Sequence, residues 1–158
     1  MKLKRILVPV DFSEDSLNAL DYAREFAKPF KAELAVLFVV EPVYYATPSE
    51  LYGPTTNLAM LLDEQKRIGL QQLEALAANL KKQRQTVRTL LQTGTPYRVI
   101  IDVAKRQGAD MIIMATHGRT GLTHVLMGSV AERVVREAGC PVLTVRAAKR
   151  KAKAKKKK

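Results

Sequence analysis

Met111-Ile-Ile-Met-Ala-Thr-His-Gly118-Arg-Thr-Gly-Leu-Thr-His-Val-Leu-Met-Gly128-Ser129-Val130 is the stretch on which the fold turns. Met111 to Met114 is an apolar run that reads as a buried strand, and Val130 to Ala138 reads as an amphipathic helix. A glycine-bearing loop between a strand and a helix N-terminus is a place where phosphate can bind. The first N–H groups of a helix have no partner within it, and the aligned peptide dipoles put partial positive charge there. Gly128 lets backbone come close to an anion, and the Ser129 hydroxyl can donate to a phosphate oxygen. The competing interpretation is an ordinary connecting loop, with Ser129 as a plain helix cap.

The same alternation of periods runs through the rest of the chain. Lys4 to Val10 reads as a first strand and Ala32 to Val40 as a second. Between them Ser13 is a plausible N-cap, and Leu17, Ala19, Leu20, Ala23, Phe26 and Ala27 make a helical face that stops near Pro29. Residues 41–56 contain Pro42, Pro48, Gly53 and Pro54 and read as a mobile loop. Leucines from Leu58 to Leu80 mark a long helix, and Thr86 to Gln92 a third strand. Thr95-Pro96 opens another helix, whose Val99, Ile100, Val103 and Ala104 face inward and which Gly108 ends. Pro141 to Val145 is a fifth strand. Apolar strands alternating with helices imply an α/β fold: a doubly wound, five-stranded parallel sheet covered on both faces. Ligands of such sheets sit outside the C-terminal ends of the strands, where the strand order reverses. That rim carries Pro9, Val10 and Asp11, then Val39, then Met114, Ala115, His117 and Gly118.

Composition narrows the function classes. With 158 residues and 47% hydrophobic content, the chain has the size of one domain and can bury a core. No apolar run approaches a membrane span, and Ile6 to Val10 is too short for a signal-peptide core, so a cytoplasmic location is expected. The single cysteine, Cys140, rules out an internal disulfide and reads as a buried, inert thiol. The net charge of +12 divides unevenly: residues 147–158 hold eight Lys or Arg and no acid, which leaves +4 for residues 1–146. The tail reads as a disordered, self-repelling segment that either binds polyanions weakly and without sequence preference or only solubilises the chain.

The loop resembles the nucleotide loop of the universal stress protein family, Gly-x2-Gly-x9-Gly-Ser/Thr, with Gly118, Gly128 and Ser129 in place and Ala115 where the first glycine falls. Ile6-Leu-Val-Pro-Val-Asp-Phe-Ser13 and Cys140-Pro-Val-Leu-Thr-Val145 are similar to that family too, so the likeness runs from about Lys2 to Arg146. It implies the strand order 3-2-1-4-5, a Rossmann-like, adenine nucleotide alpha hydrolase-like sheet. It also implies adenine-nucleotide binding, with ATP the leading ligand and Mg²⁺ as its companion. Asp11 would hold a ribose hydroxyl or that Mg²⁺, against an N-cap or turn role beside Ser13. Pro9 and Val39 would hold the adenine, the Val39 backbone reading its edge. Arg119 would pair with phosphate or be solvated, His117 would orient the loop, and Ser129 and Val130 open the helix at the phosphates. The family likeness further implies a homodimer through strand 142–145, whose apolar edge needs a cover.

Several absences bear on chemistry. The chain has no Gly-x4-Gly-Lys-Ser/Thr, no Gly-x-Gly-x2-Gly and no Gly-x-Ser-x-Gly. His117 and His124 lack the companions of a zinc site. No general base is evident, so a stress-response sensor or regulator is expected ahead of a slow ATP hydrolase or phosphotransferase. A dimeric interaction protein that has lost nucleotide binding is the further alternative, and Ala115 is the residue that favours it.

Overall fold

Strands β1 (Arg5–Val10), β2 (Glu33–Val40), β3 (Val87–Thr93), β4 (Met111–Ala115) and β5 (Val142–Val145) alternate with α1 (Glu14–Ala27), α2 (Thr56–Lys82), α3 (Pro96–Gln107) and α4 (Ser129–Glu137). The structure, a computed structural model, describes residues 2–42, 56–118 and 127–146. The loop residues 43–55, Arg119, His124 and the tail 147–158 lie outside the described residues. All strand pairs are parallel, and the sheet order is β3-β2-β1-β4-β5.

Alternation along each strand sorts the core into two layers. Ile6, Val8 and Val10 of β1 join α1 and α2 residues such as Ala19, Ala23, Leu73 and Leu80. Leu7 faces the other way, with Ile100, Val103 and Ala104 of α3 and Ala131 and Val134 of α4. Ile6, Leu7 and Val8 are all 0% exposed, the signature of a central strand covered on both sides. β3 is an edge strand and only partly buried, so its Arg88 and Thr93 are exposed. At its start, Glu33 of β2 bridges Arg5 (2.8 Å) and Arg88 (3.0 Å) across three strands. Burial alone would raise the Glu33 pKa, but the hydrogen bond and charge of Arg5, with Arg88, outweigh it and hold the carboxyl below its ordinary value.

The helix ends follow local chemistry. Ser13 caps α1, its hydroxyl accepting from the Ser16 N–H at 3.3 Å. Pro96 takes the first position of α3 after Thr95, though the Thr95 side chain makes no cap bond, and Gly108 closes the helix at φ 59°. One sequence expectation and one alternative need correction, Phe26 and the cap role of Ser129, while α1 stops at Ala27, near Pro29 as expected. Phe26 is 40% exposed and does not join the buried face of α1, which consists of Ser16, Ala19, Leu20, Ala23 and Ala27. At 100° per residue Phe26 stands roughly 80° away from the middle of that stripe. The N-cap of α4 is Gly128, so Ser129 is the first helical residue and not the cap. Lys28–Phe30 forms a 3₁₀ turn that carries the chain past Pro29.

Candidate functional site

The β1 ladder sets the site. Its pairing with β2 ends at Val10↔Phe38, and its pairing with β4 covers only Ile6↔Met111 and Leu7↔Ile112. Beyond those pairs the strands part, and a cavity of about 690 Å³ wraps over the sheet's C-terminal rim. This is the point where the order reverses around β1, as expected for a doubly wound sheet. Pro9, Val10, Asp11, Val39, Met114, Ala115, His117, Gly118, Gly128, Ser129 and Val130 all line it.

Asp11 leaves β1 and turns at once. Its Oδ1 accepts from the Ser13 N–H at 3.0 Å and from the Ser13 hydroxyl at 2.5 Å. The Ser16 hydroxyl accepts from the Asp11 N–H at 3.3 Å and donates to the Ser13 carbonyl at 3.0 Å. The turn role expected of Asp11 is thus seen in Oδ1, and Oδ2 faces the loop after β4. Phe12 takes a left-handed backbone, φ 63°, a costly conformation for an aromatic residue. Its ring rests on Phe38 at 4.8 Å between centroids.

Two glycines bring the second loop onto this carboxylate. A Cβ at Gly118 would stand 2.6 Å from Asp11 Oδ2, closer than any side chain tolerates. Gly128 donates its N–H to the Thr116 carbonyl at 2.8 Å, and a Cβ there would meet that oxygen at 3.1 Å. The loop thus leaves and returns at one place, with Thr116 also donating its N–H to the Val145 carbonyl at 3.0 Å. His117 lies beside the Thr116 hydroxyl, Nδ1 to Oγ1 3.0 Å. No side chain caps α4, so its first N–H groups point toward the cavity with Ser129 exposed beside them. The Ala115 methyl is absorbed by the core under α1, and the residue is 7% exposed.

The apolar part of the cavity lies on the α3–α4 side. Pro9, Val39, Met114 and Val130 meet there with Ile100. Backbone direction alternates along β2, and Glu33 donates to Lys4 of the β1 side. The Val39 peptide therefore points the same way, one residue past the last β1 partner.

The sequence reading missed the α2 wall. Gln65, Ile68, Gly69 and Gln72 of α2 line the cavity too. Gly69 sits mid-helix because a Cβ there would meet the Phe38 ring at 2.5 Å. A glycine inside a long helix costs about 1 kcal/mol relative to alanine, which was the signal available in the sequence. Cys140 is half-buried, and burial, with the Asp110 charge, pushes its thiol pKa up, which makes it a poor nucleophile. Among the described residues no three His, Cys, Asp or Glu side chains gather as a metal set. No helix among them is long and apolar enough to cross a membrane.

A doubly wound α/β protein with a glycine-lined rim site is the class these features define. The family model for the universal stress protein family matches residues 2–146, and the chain belongs to that family. It is 36% identical over 148 residues to a universal stress protein of Methanocaldococcus jannaschii, an alignment covering 93% of this chain and 84% of that one. The universal stress protein UspA of Lactobacillus plantarum superposes with a TM-score of 0.71 at 29% identity, over 92% of this chain and 99% of the other. A universal stress protein family member of Arabidopsis thaliana, solved with AMP bound, has the same fold at 20% identity and a TM-score of 0.66, over 92% of this chain and 93% of the other.

Proposed function

We propose that this chain binds an adenine nucleotide, ATP foremost, at the rim of the sheet, and acts in the cytoplasm as a sensor or regulator of the stress response. The observation that carries the reading is the closeness of Gly118 to the Asp11 carboxylate, with Gly128 returning beside it. Two glycines without room for side chains hold a polar turn, an uncapped helix N-terminus and an apolar pocket within one cavity. The apolar residues Pro9, Val39 and Met114 suit a base, and the outward Val39 peptide suits its hydrogen-bonding edge. Asp11 Oδ2 suits a ribose hydroxyl or a Mg²⁺ shared with the phosphates. Gly128, Ser129 and the α4 N-terminus suit the phosphates, and Arg119 adds charge to that loop. The Arabidopsis relative with AMP bound supports the ligand class.

Among the described residues of the rim none is placed as a base aimed at a terminal phosphate, and we read the site as one for binding ahead of slow hydrolysis. Nucleotide would order the loop 115–128, with the loop 41–56 a second candidate, and so bias a partner interaction. The working unit is a homodimer through β5, and the Lys-rich tail adds weak, salt-sensitive attraction to polyanions. Two measurements test this. Mass spectrometry of the small molecule that co-purifies should find an adenine nucleotide. Single-turnover hydrolysis of ATP should be no faster than with Asp11→Ala; a rate that Asp11→Ala abolishes makes the chain an enzyme instead.

A further inference from the structure

The charge of +4 over residues 1–146 hides a division between the two ends of the molecule. In a doubly wound sheet every strand begins, and every helix finishes, at the end opposite the ligand rim. That basal end comprises the last turn of each helix, the first two residues of each strand, the residues joining them and the chain before β1. It holds thirteen Lys or Arg against four acids, while the other described residues hold five against ten.

Helix dipoles favour bases in last turns, and Arg24, Lys81, Lys82, Lys105, Arg106 and Arg136 answer to that. They do not explain Lys2, Lys4, Lys31 and Arg84, which lie outside the helices. The acids nearby are engaged: Glu33 by Arg5 and Arg88, Glu25 by Arg24 and Lys28, and Asp110 by the N–H groups of Lys4 and Arg5. Lys31 and Arg84 have left-handed backbones, φ 54° and 60°, where glycine or asparagine fits more cheaply. Long bases at two strained positions suggest that their charge has a use.

Lys28, Lys31 and Arg84 line a concavity of about 320 Å³ between the turn after α1 and the turn into β3. Phe30 lies between the two lysines in the chain. It is 48% exposed, and its ring centroid is 6.0 Å from that of Phe26, 40% exposed. Arg24 bonds to Gln83 and so marks the flank of α1 that faces α2. Tyr22 and Phe26, each two residues from Arg24, stand about 160° round the helix from it. The basal end therefore offers a basic hollow on the α2 flank of α1 and bare aromatic rings on the opposite flank, with the Lys28–Lys31 turn running between them.

We propose that this basal end binds single-stranded nucleic acid, with phosphates drawn to Lys28, Lys31 and Arg84 and bases stacked on Phe26 and Phe30. A single strand passing round the end of α1 would meet both the positive hollow and the rings, and charge for the backbone with rings for the bases is how proteins hold single strands without reading sequence. A duplex hides its base faces from such rings, and a flat lipid surface does not enter a hollow. The site is separate from the nucleotide rim and stands whether or not the rim binds ATP.

The test is fluorescence anisotropy with a labelled 20-nucleotide oligothymidylate, using full-length protein throughout. Lys31→Asp/Arg84→Asp, with Asp tolerated in the left-handed region, should weaken binding at least tenfold and flatten the salt slope by about 1.4. Phe26→Ala/Phe30→Ala should weaken it by roughly fivefold or more with the salt slope unchanged. A variant with the eight tail Lys and Arg replaced by Gln should still bind, and should lose that binding when the basal pair is added. If the Asp pair does not fold by its melting curve, Lys31→Asn/Arg84→Asn carries the same expectation with a smaller loss. The proposal is overturned by any of three results: affinity indifferent to the basal pair, binding that vanishes with the tail charges alone, or equal affinity for a duplex together with no effect of the phenylalanines. Binding to phosphatidylserine vesicles but not to the oligonucleotide overturns it in favour of a membrane.

Discussion

Gly118 is the residue on which the rim depends, because its missing side chain is what lets the second loop lie on Asp11. A methyl there would stand 2.6 Å from the carboxylate Oδ2, so either the loop or the carboxylate must move. Asp11 is held through Oδ1 by both the N–H and the hydroxyl of Ser13, which makes the loop the part that yields. Gly118→Ala is therefore expected to cost at least about 1.4 kcal/mol of nucleotide affinity, a tenfold change. Its urea midpoint should stay close to that of the parent, since Gly118 lies outside both core layers. Calorimetric titration beside a urea curve checks both halves. Unchanged affinity would show that the loop does not touch the ligand. Ala115 bears the opposite lesson. It breaks the glycine pattern in the sequence, yet its methyl is taken up by the core, so the departure leaves the rim open.

At the scale of elements, β5 is the exposed boundary of the sheet. It is short, pairs only with β4, and carries Leu143 at 37% exposure on the same face as buried Val145. A bare edge of this kind invites a second strand. Light scattering is expected to report about twice the 17.6 kDa chain mass, and Leu143→Lys to return it to one chain. A monomeric parent would contradict the dimer. Most elements were legible beforehand because each is written in its own period. The apolar runs of β1, β2 and β4 allow no amphipathic helix, and Ser13, Pro96 and Gly108 mark ends by local chemistry. The strand order followed from the family likeness, and periodicity alone would not supply it. What stayed illegible depends on tertiary contact. Gly69 means nothing until Phe38 is seen against it, and the α2 wall of the cavity is invisible without that approach. Phe26 was placed on the buried face because apolar spacing does not say how wide a buried stripe is; the structure leaves it bare. The alternative reading of Ser129 as a cap fails because Gly128 holds that position, which leaves the hydroxyl exposed at the cavity.

Among the described residues, charge is divided between the two ends of the fold. The described residues away from the basal end carry more acids than bases, and that is where the nucleotide rim lies. An anionic ligand there relies on local donors, the α4 N-terminus and a companion cation. The tail joins the fold after Arg146, at the rim end, because Val145 pairs beside Ala115 at the close of β4. Deleting residues 148–158 should leave nucleotide affinity and dimer mass unchanged within error, since the last element ends before it. Loss of either would mean that the tail belongs to the folded unit. Calorimetry with ATP and AMP on the parent protein and on Gly128→Val meets the central claim most directly. Gly128 stands against the Thr116 carbonyl, and a branched side chain there fills the space beside the helix N-terminus. The parent should bind both nucleotides, and the variant should lose roughly 1.5–3 kcal/mol, the worth of one hydrogen bond to a charged group. No heat and no thermal shift with either nucleotide at millimolar concentration, on the parent protein, would contradict nucleotide binding at this rim.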